Sequence, residues 1–139
     1  MTPASRLSDA TLPQLPATIA RPGYDRAATR IGIVHIGPGA FHRAHQAAYI
    51  DDLLAIDPDW AICGVSLRNP DVRDALRPQD GLYALTVLDA QPATRVIGAL
   101  REVLCARDEQ PAVLARLADP QVRLVTLTVT EKGYCLGPD

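Results

Sequence analysis

The sequence contains few cysteines, no long hydrophobic run and no signal for export. Cys63, Cys105 and Cys135 are far apart and form no CxxC pair, which argues against a disulfide framework or a structural zinc site and favours a reducing compartment. No run of about 18 apolar residues is present, and the first residues lack the apolar core of a secretory signal. We therefore expect no membrane association and predict a cytoplasmic protein.

The chain also lacks an excess of positive charge. It has 14 basic and 16 acidic residues, and Lys132 is the only lysine. A net charge of −2 gives no electrostatic reason to expect nucleic acid or an anionic membrane as a partner. A length of 139 residues and a hydrophobic content of 47% fit a single globular domain.

Residues 1–29 show no periodic hydrophobic pattern. They include prolines at positions 3, 13, 16 and 22, between small and polar residues. Proline removes a backbone donor and fixes φ, so the composition predicts an extended N-terminal arm that does not pack as an element. Regular structure is predicted from residue 30 onward.

The first half of the remaining sequence predicts a βαβ unit. Residues 31–36 form a short, nearly continuous apolar run, which is typical of a strand buried on both faces. A break at Gly37-Pro38-Gly39 precedes a predicted helix at 41–55, and a second apolar strand follows at 60–65. This order and spacing indicate a parallel sheet.

The second half predicts further elements but does not complete a sheet. We expect a short helix at 71–76, strands at 82–88 and 95–104 that form a hairpin around 89–92, a helix that opens at 108–111, and a strand at 122–129. A complete doubly wound domain has about six parallel strands. The sequence therefore predicts an α/β fold, an incomplete Rossmann-like doubly wound domain with a mostly parallel sheet and a hairpin insertion. We therefore expect the sequence to be truncated within this domain.

The glycines between the first strand and helix are the sharpest functional signal. A tight turn needs a residue without Cβ, and a diphosphate needs backbone N–H groups at close range with the positive end of a helix dipole. Gly37-x-Gly39 provides this pattern, although His42 stands where a third glycine is usual. The sequence predicts a dinucleotide site; the alternative is a plain turn whose glycines only fit the bend.

The end of the second predicted strand bears on the choice of cofactor. An acidic residue there would bind the ribose hydroxyls of NAD, but Asp71 is the first carboxylate after Val65. Arg68 could instead bind a 2′-phosphate, which would favour NADP, or it could be a solvated arginine at the start of a loop. NAD is the expected cofactor, and NADP stays open.

All three histidines lie close together in sequence, at His35, His42 and His45. The spacing from 42 to 45 can place two imidazoles on one helix face. A metal site would need further ligands, and none stands at a recognisable spacing, so no metal is predicted. Two interpretations stay open: the segment lines the nucleotide cleft with Arg43 near phosphate, or the histidines pack and cap the first turn.

Residues 32–47, GIVHIGPGAFHRAHQA, resemble the opening motif of the mannitol dehydrogenase family. These polyol-specific long-chain dehydrogenases include mannitol 2-dehydrogenase and fructuronate reductase. The resemblance continues in order through RPGYDR at 21–26, WAICGV at 60–65, VIGAL at 96–100 and TLTVTEKGY at 126–134. The combination of GxGxFHRAH with a later TEKGY is far more specific than the glycines alone.

The resemblance implies an N-terminal Rossmann-like domain, of which residues 30–139 would be the N-terminal part. In full-length members a mostly helical C-terminal domain supplies the general acid/base, a lysine in a Lys…Asn…His motif that this sequence lacks. Hydride passes between NAD(P) and a polyol or sugar acid without a metal. The resemblance implies that Gly37 and Gly39 bind the nucleotide. Phe41, His42 and Arg43 carry over as motif residues with less defined roles, and together with Ala40 they complete the predicted cofactor-binding set.

Glu131 is the one candidate for a role in the chemistry. It follows a predicted buried strand, near where the carboxyl ends of the strands should face the nicotinamide. There it could relay a proton between the absent lysine and water. The alternative is a loop carboxylate that pairs with Lys132 or caps a helix.

The sequence thus predicts the nucleotide-binding part of a polyol or sugar-acid dehydrogenase. Residues 128–135 favour the fructuronate reductase branch. We expect the chain alone to be inactive, because the lysine is absent. Two alternatives are a catalytically silent nucleotide-binding module and a non-functional fragment whose unpaired strand edge and uncovered apolar faces favour aggregation.

Overall fold

The computed structural model describes residues 5–130 and residue 133. The strands are β1 Ile31–Ile36, β2 Ala61–Ser66, β3 Tyr83–Val87, β4 Ala93–Ile97, β5 Leu100–Cys105 and β6 Leu124–Leu127. The helices are α1 Ala40–Ala44, α2 Gln46–Leu53, α3 Asp71–Leu76 and α4 Ala106–Leu117, with 3₁₀-helices at Leu12–Gln14, Arg26–Ala28, Pro58–Trp60 and Arg77–Gln79. No helix in this described part of the chain has the length and hydrophobicity needed to cross a bilayer.

Four strands form a parallel sheet in the order β5-β2-β1-β6, and β3 and β4 form a separate antiparallel hairpin. The chain winds from β1 outward through β2 to β5 and then returns to the other side of β1 as β6. This reversal is the topological switch point of a doubly wound sheet, outside whose carboxyl edge ligands bind. The predicted α/β fold with a parallel sheet and a hairpin is confirmed.

Both faces of β1 and β2 are covered, which explains the nearly continuous apolar runs of these two strands. Ile33 belongs to the core under α2, α3 and the hairpin, and its neighbour Val34 belongs to the core under α4. Ile62 and Cys63 alternate between the same two cores. The sheet is therefore a central layer, and its carboxyl edge is the part left open for a ligand.

The single strand predicted over 95–104 is wrong, because the chain changes sheet within it. β4 ends at Ile97 in the hairpin, and β5 begins at Leu100 in the parallel sheet. The turn lies at Gly98, where a Cβ would come within 2.8 Å of the Arg26 side chain. The apolar pattern runs through this turn because residues on both sides of it are buried.

The first helix is also shorter than predicted. The expected helix at 41–55 is divided at His45, whose φ of −124° and ψ of −90° interrupt the backbone between α1 and α2. Phe41 and His45 nevertheless stack, with ring centroids 5.1 Å apart. The break leaves α1 as a single short turn above the end of β1.

The fourth helix begins earlier than predicted. α4 starts at Ala106, before the predicted opening at 108–111, and contains a non-helical residue at Glu109 with φ −130°. Pro111 disfavours helical backbone in the residues before it, so the predicted boundary coincides with this kink. Glu109 accepts a hydrogen bond from the Cys105 N–H at 3.0 Å.

The N-terminal arm packs against the domain, contrary to the expectation for residues 1–29. Arg26 is buried and forms an ion pair with Asp9. Its Nε donates to the Gly98 carbonyl at 3.2 Å, and its Nη2 donates to the Asp80 carbonyl at 2.5 Å. Proline prevents regular structure in the arm, but it does not prevent a long side chain from docking into the hairpin junction.

A buried carboxylate connects the arm, α2 and the hairpin. Asp51 of α2 accepts hydrogen bonds from the Tyr24 hydroxyl at 2.6 Å and from the Gly98 N–H at 2.8 Å. Arg95 donates to its second oxygen at 3.3 Å. Burial raises the pKa of the Asp51 carboxyl, and these hydrogen bonds oppose that shift. We name Tyr24, Asp51, Gly98 and Arg95 the Asp51 clamp.

Candidate functional site

The turn after β1 has a backbone conformation that requires glycine at its first position. Gly37 has φ +91°, in the region that residues with a Cβ rarely adopt. Its N–H donates to the Val65 carbonyl at 2.9 Å, and the Gly39 N–H donates to the Gly37 carbonyl at 2.7 Å. The turn is therefore held in shape by its own backbone and by β2.

Gly39 has a different role, since its conformation is open to any residue. Its φ is −72°, and the nearest atom to a Cβ built there is the Gly37 carbonyl oxygen at 4.0 Å. A side chain at this position would meet no protein atom closely and would project into open space. The absence of a side chain keeps that space free for a ligand.

That space is a cleft of about 430 Å³ at the carboxyl edge of the sheet. Residues 37–41 form one wall, Leu67 and Asn69 after β2 and Val72 of α3 form a second, and Thr128 after β6 forms a third. The cleft therefore lies at the switch point between β1 and β6, where the topology predicts a nucleotide.

The backbone donors in this cleft are fewer than the sequence suggested. The predicted cofactor-binding residues around this turn span 37–43, but the Gly37 N–H donates to Val65 of β2, the Gly39 N–H donates within the turn, and the Arg43 N–H donates to the Gly39 carbonyl. The N–H groups of Ala40, Phe41 and His42 form no hydrogen bond within the described residues, as is usual in the first turn of a helix, and of these three residues Ala40 and Phe41 line the cleft. The available donors are therefore Ala40 and Phe41.

Pro38 supports the turn from below, which the sequence reading missed. Its side chain is fully buried. A Cβ built on Gly64 in the middle of β2 would lie 2.9 Å from the Pro38 Cβ and 3.2 Å from Leu100 Cδ2. Glycine within a strand often marks such a close approach, so Gly64 was the available signal.

Two of the three histidines stack under the turn. The rings of His35 and His42 are 3.6 Å apart at an interplanar angle of 10°, and both are buried. His35 Nδ1 lies 2.7 Å from Thr126 Oγ1, and its Nε2 lies 3.0 Å from Thr128 Oγ1 and 3.2 Å from the Gly37 carbonyl oxygen. His35 thus links the end of β1 to the end of β6.

Among the residues that the structure describes, His42 is the one whose buried side-chain polar atoms have no hydrogen-bond partner. Neither ring nitrogen has a hydrogen-bond partner among the described residues. Burial, with smaller effects from His35 and Arg43, lowers the pKa of His42 to about 3, and burial also lowers that of His35. Within the part of the chain that the structure covers, no three metal-binding side chains come together. The structure thus shows His42 as a neutral packing residue.

A family comparison agrees with this geometry. The model of the mannitol dehydrogenase Rossmann domain matches residues 31–138. The chain belongs to the mannitol dehydrogenase family. The match covers the glycine turn, the histidine stack and the whole parallel sheet, so the resemblance in the 32–47 motif is confirmed.

Individual relatives are similar over most of this chain. The mannitol 2-dehydrogenase of Cereibacter sphaeroides is 47% identical over 124 residues, which are 84% of this chain and 26% of that protein. The polyol:NADP oxidoreductase of Gluconobacter oxydans is 44% identical over 130 residues, 89% of this chain and 27% of that protein. The chain spans about a quarter of the length of these curated relatives.

A solved structure of the family carries the same fold. Pseudomonas fluorescens mannitol 2-dehydrogenase, a ternary complex with NAD and D-mannitol, superposes with a TM-score of 0.88 at 45% identity. The similarity covers 94% of this chain and 28% of that one. The Rossmann-like architecture is thereby confirmed.

The remaining predicted site residues differ in their contacts. Phe41 is exposed at its wall. Arg43 Nη1 donates to the Pro38 carbonyl at 2.8 Å, so the guanidinium is held against the turn. Arg68 is exposed after β2 and forms no ion pair with any residue that the structure describes. Glu131 lies outside the described residues, and its proposed relay stays a prediction.

Replacing His42 with phenylalanine is expected to reduce the acid sensitivity of the domain. The folded pKa of about 3 lies below the usual value of about 6.5, so between these values the unfolded chain binds a proton that the folded chain does not. Stability is then complete above about pH 6.5 and falls by up to about 1.4 kcal/mol per pH unit below it. H42F keeps a ring against His35 and removes this loss, so urea unfolding should show a shallower decline from pH 7 to pH 5.

The matched control is His45→Phe, the same exchange at an exposed position. H45F should keep the pH slope of the parent chain. At pH 7, H42F should be as stable as the parent or about 1 kcal/mol more stable, because two unpaired buried nitrogens are removed. An unchanged slope in H42F would show that His42 is not kept neutral by the fold.

Proposed function

We propose that this chain provides the cofactor-binding part of an NAD(P)-dependent oxidoreductase that acts on polyols. The observation that carries the proposal is the open side of Gly39, which faces a cleft at the switch point with two available backbone donors beside it. Membership of the mannitol dehydrogenase family and the NAD and D-mannitol bound to the Pseudomonas fluorescens relative support it.

The walls of the cleft suggest how each part of the cofactor would be held. The diphosphate would accept hydrogen bonds from the N–H groups of Ala40 and Phe41, close to the uncovered backbone of Gly39. The apolar side chains of Leu67 and Val72 offer a surface for the adenosine half. When bound, the nicotinamide would accept a hydride from the polyol carbon or, in its reduced form, return one to the carbonyl, and this chain would orient it by fixing the diphosphate.

A polyol is the proposed substrate of the whole protein, because the named relatives act on mannitol or other polyols. The sugar-acid branch inferred from residues 128–135 stays an untested prediction. The chain covers about a quarter of its relatives, and the expected catalytic lysine is not in its sequence. We therefore propose that the isolated chain binds cofactor without turning over substrate.

The cysteines support a proposal about the cellular compartment. Cys63 and Cys105 are free thiols buried in the domain. Burial, reinforced by nearby Glu102, raises the pKa of the Cys63 thiol, so this thiol is unreactive at neutral pH. These features support the proposal of a reducing, cytoplasmic location.

The function is tested by titrating the purified chain with NADH and NADPH and following nicotinamide fluorescence. Saturable binding is expected, and no reduction of NAD or NADP is expected in the presence of mannitol, sorbitol or mannonate. Circular dichroism and a cooperative thermal transition establish that the chain is folded. A folded chain that binds neither nucleotide at millimolar concentration would refute the cofactor site, and measurable turnover would refute the inactivity of the chain.

In this proposal, Arg68 determines the affinity of the site for NADPH relative to NADH. It is exposed beside Leu67 and Asn69 in the second cleft wall. Asp71, the first carboxylate after β2 in sequence, is hydrogen-bonded to Asn69. Replacing Arg68 with serine should raise the Kd for NADPH about tenfold, because one charge-assisted contact to the 2′-phosphate is lost. The Kd for NADH should change less than about twofold, since NADH lacks that phosphate.

Arg6→Ser is the control for this change, since Arg6 is also exposed but lies in the N-terminal arm. R6S should leave both affinities unchanged. Equal losses for NADH and NADPH in R68S would show that Arg68 does not read the 2′-phosphate.

A further inference from the structure

His35 is a buried residue of β1 that contacts two walls of the cleft without lining it. It is only 2% exposed, and its Nε2 lies 3.0 Å from Thr128 Oγ1 and 3.2 Å from the Gly37 carbonyl oxygen. Gly37 and Thr128 line the cleft, whereas His35 is not among the described residues that do so. His35 can therefore affect a ligand in the cleft only through these neighbours.

The contacts of the His35 ring select one of its two neutral forms. Burial lowers the pKa of His35, so the ring is neutral at pH 7, with a proton on one nitrogen and a lone pair on the other. The Gly37 carbonyl oxygen can only accept, so Nε2 must carry the proton to bond it. A proton on Nδ1 would instead set the lone pairs of Nε2 and the carbonyl oxygen against each other in a buried site. The structure therefore requires the Nε2–H tautomer.

Thr126 of β6 holds the other edge of the ring. With Nε2 protonated, Nδ1 is an acceptor, and the Thr126 hydroxyl at 2.7 Å is its donor. A second acceptor for this hydroxyl, Gln46 Oε1, is more distant at 3.3 Å. The stacked ring of His42 covers one face of the imidazole, with the centroids 3.6 Å apart. The direction in which Nε2–H points is therefore fixed by several contacts.

The Gly37 carbonyl is the group that this N–H restrains. Gly37 has φ +91° and no side chain, so its conformation depends on the partners of its backbone groups. Its N–H donates to Val65, and its carbonyl accepts from the Gly39 N–H inside the turn. Among the described residues, His35 is the one donor to this carbonyl from outside the turn. His35 thus fixes the turn relative to the sheet.

The position of this turn controls the two donors available to a diphosphate. The N–H groups of Ala40 and Phe41 follow the turn directly, and a binding group must be held within about 0.5 Å of its productive position. A turn that is already held in place does not have to be ordered when the ligand binds, which improves affinity. Loss of the His35 bond would therefore weaken diphosphate binding without removing any group that touches the ligand.

We propose that His35 is a positioning residue for the cofactor. Its Nε2–H, directed by the Thr126 hydroxyl on Nδ1, holds the Gly37 carbonyl and so keeps the N–H groups of Ala40 and Phe41 in place for the diphosphate. This role rests on the proposed function. The tautomer of His35 does not, because it is set by contacts within the chain.

The tautomer is tested by long-range ¹H–¹⁵N correlation spectra of the ¹⁵N-labelled chain at pH 7, without cofactor. The His35 signals are assigned by their loss in a variant with His35 replaced by glutamine. A protonated Nε2 and an unprotonated Nδ1 are expected. A proton on Nδ1 would overturn the proposal whether or not the chain binds NADH.

Three substitutions of His35 separate the donated hydrogen bond from the packing of the ring. The amide nitrogen of glutamine can reach the place of Nε2, so H35Q should bind NADH within about threefold of the parent Kd. Asparagine reaches only the place of Nδ1, and phenylalanine keeps a ring against His42 without a donor. H35N and H35F should therefore raise the Kd about fivefold or more. Near-parent binding by H35F with weak binding by H35Q would show that the ring only packs.

Thr126→Val gives a second test that leaves His35 in place. T126V removes the donor to Nδ1, and the Kd for NADH should rise about threefold although Thr126 does not line the cleft. Thr86→Val is the matched control, because it removes one hydroxyl from an exposed pair with Thr94 in the hairpin. T86V should bind normally, and circular dichroism should show which variants are folded. Normal binding by T126V would overturn the proposal, whereas a folded parent chain that binds no NADH would refute the proposed function itself.

Discussion

Replacing Gly39 with valine is expected to abolish NADH binding and to leave the fold intact. The position has φ −72°, which valine tolerates, and a Cβ there meets no protein atom within 4 Å except the Gly37 carbonyl oxygen at that limit. The added methyl groups would occupy the space that the diphosphate needs beside Ala40 and Phe41. The Kd for NADH should rise about a hundredfold or more, equivalent to about 3 kcal/mol of lost binding.

The measurement is a fluorescence titration of G39V beside a thermal unfolding curve. The midpoint of unfolding should stay within a few degrees of the parent value, since an unstrained surface exchange costs about 0.5 kcal/mol or less. Gly23→Val is the matched control, because Gly23 is exposed and has no atom within 4 Å of its Cβ position. G23V should bind NADH normally. Normal NADH binding by G39V would mean that the cofactor does not pass over this glycine.

The same exchange at Gly64 is expected to have the opposite effect, a large loss of stability. Gly64 lies in β2, and a Cβ there would be 2.9 Å from Pro38 Cβ and 3.2 Å from Leu100 Cδ2. Both neighbours are fully buried and cannot move without displacing the turn or β5. Valine should therefore lower the free energy of unfolding by about 3 kcal/mol, as overpacking does in a dense core.

Urea unfolding of G64V measures this cost as a lower midpoint with an unchanged slope. Cofactor binding should also weaken, because Pro38 cannot keep its place under the Gly37–Gly39 turn. A second background tests the contact itself: with Pro38→Gly in the same chain, the cost of G64V should fall by about 1 kcal/mol or more. If the losses in the free energy of unfolding from the two substitutions simply add, Pro38 and the side chain at position 64 do not clash.

The βαβ core of this domain was predictable from sequence because its signals are local. The apolar runs of β1 and β2, the glycines at 37 and 39 and the prolines near the helix ends each act over a few residues. They correctly predicted the parallel sheet, the switch to a helix after β1 and the hairpin. The position of the cleft followed from the same elements, since topology places it at the carboxyl edge.

The errors arose where a distant contact overrides a local pattern. Nothing near residues 95–104 in sequence indicates that Gly98 must turn to receive Arg26. His42 is not one of these errors, because its role was left open between lining the cleft and packing, and its ring is buried against His35. The backbone N–H groups of Gly37 and Gly39 already donate to Val65 and to the turn itself. Only Ala40 and Phe41, of the residues that line the cleft in this turn, therefore have N–H groups free for a ligand.

The Asp51 clamp bears on where this domain can be cut. An excised version that began at the first strand would discard the phenol of Tyr24 and leave a carboxylate in an apolar interior with one donor fewer. It would also remove the guanidinium of Arg26 that seals the junction between the two sheets. The minimal autonomous folding unit therefore extends upstream of the nucleotide-binding motif, into a segment whose composition alone resembles a dispensable leader.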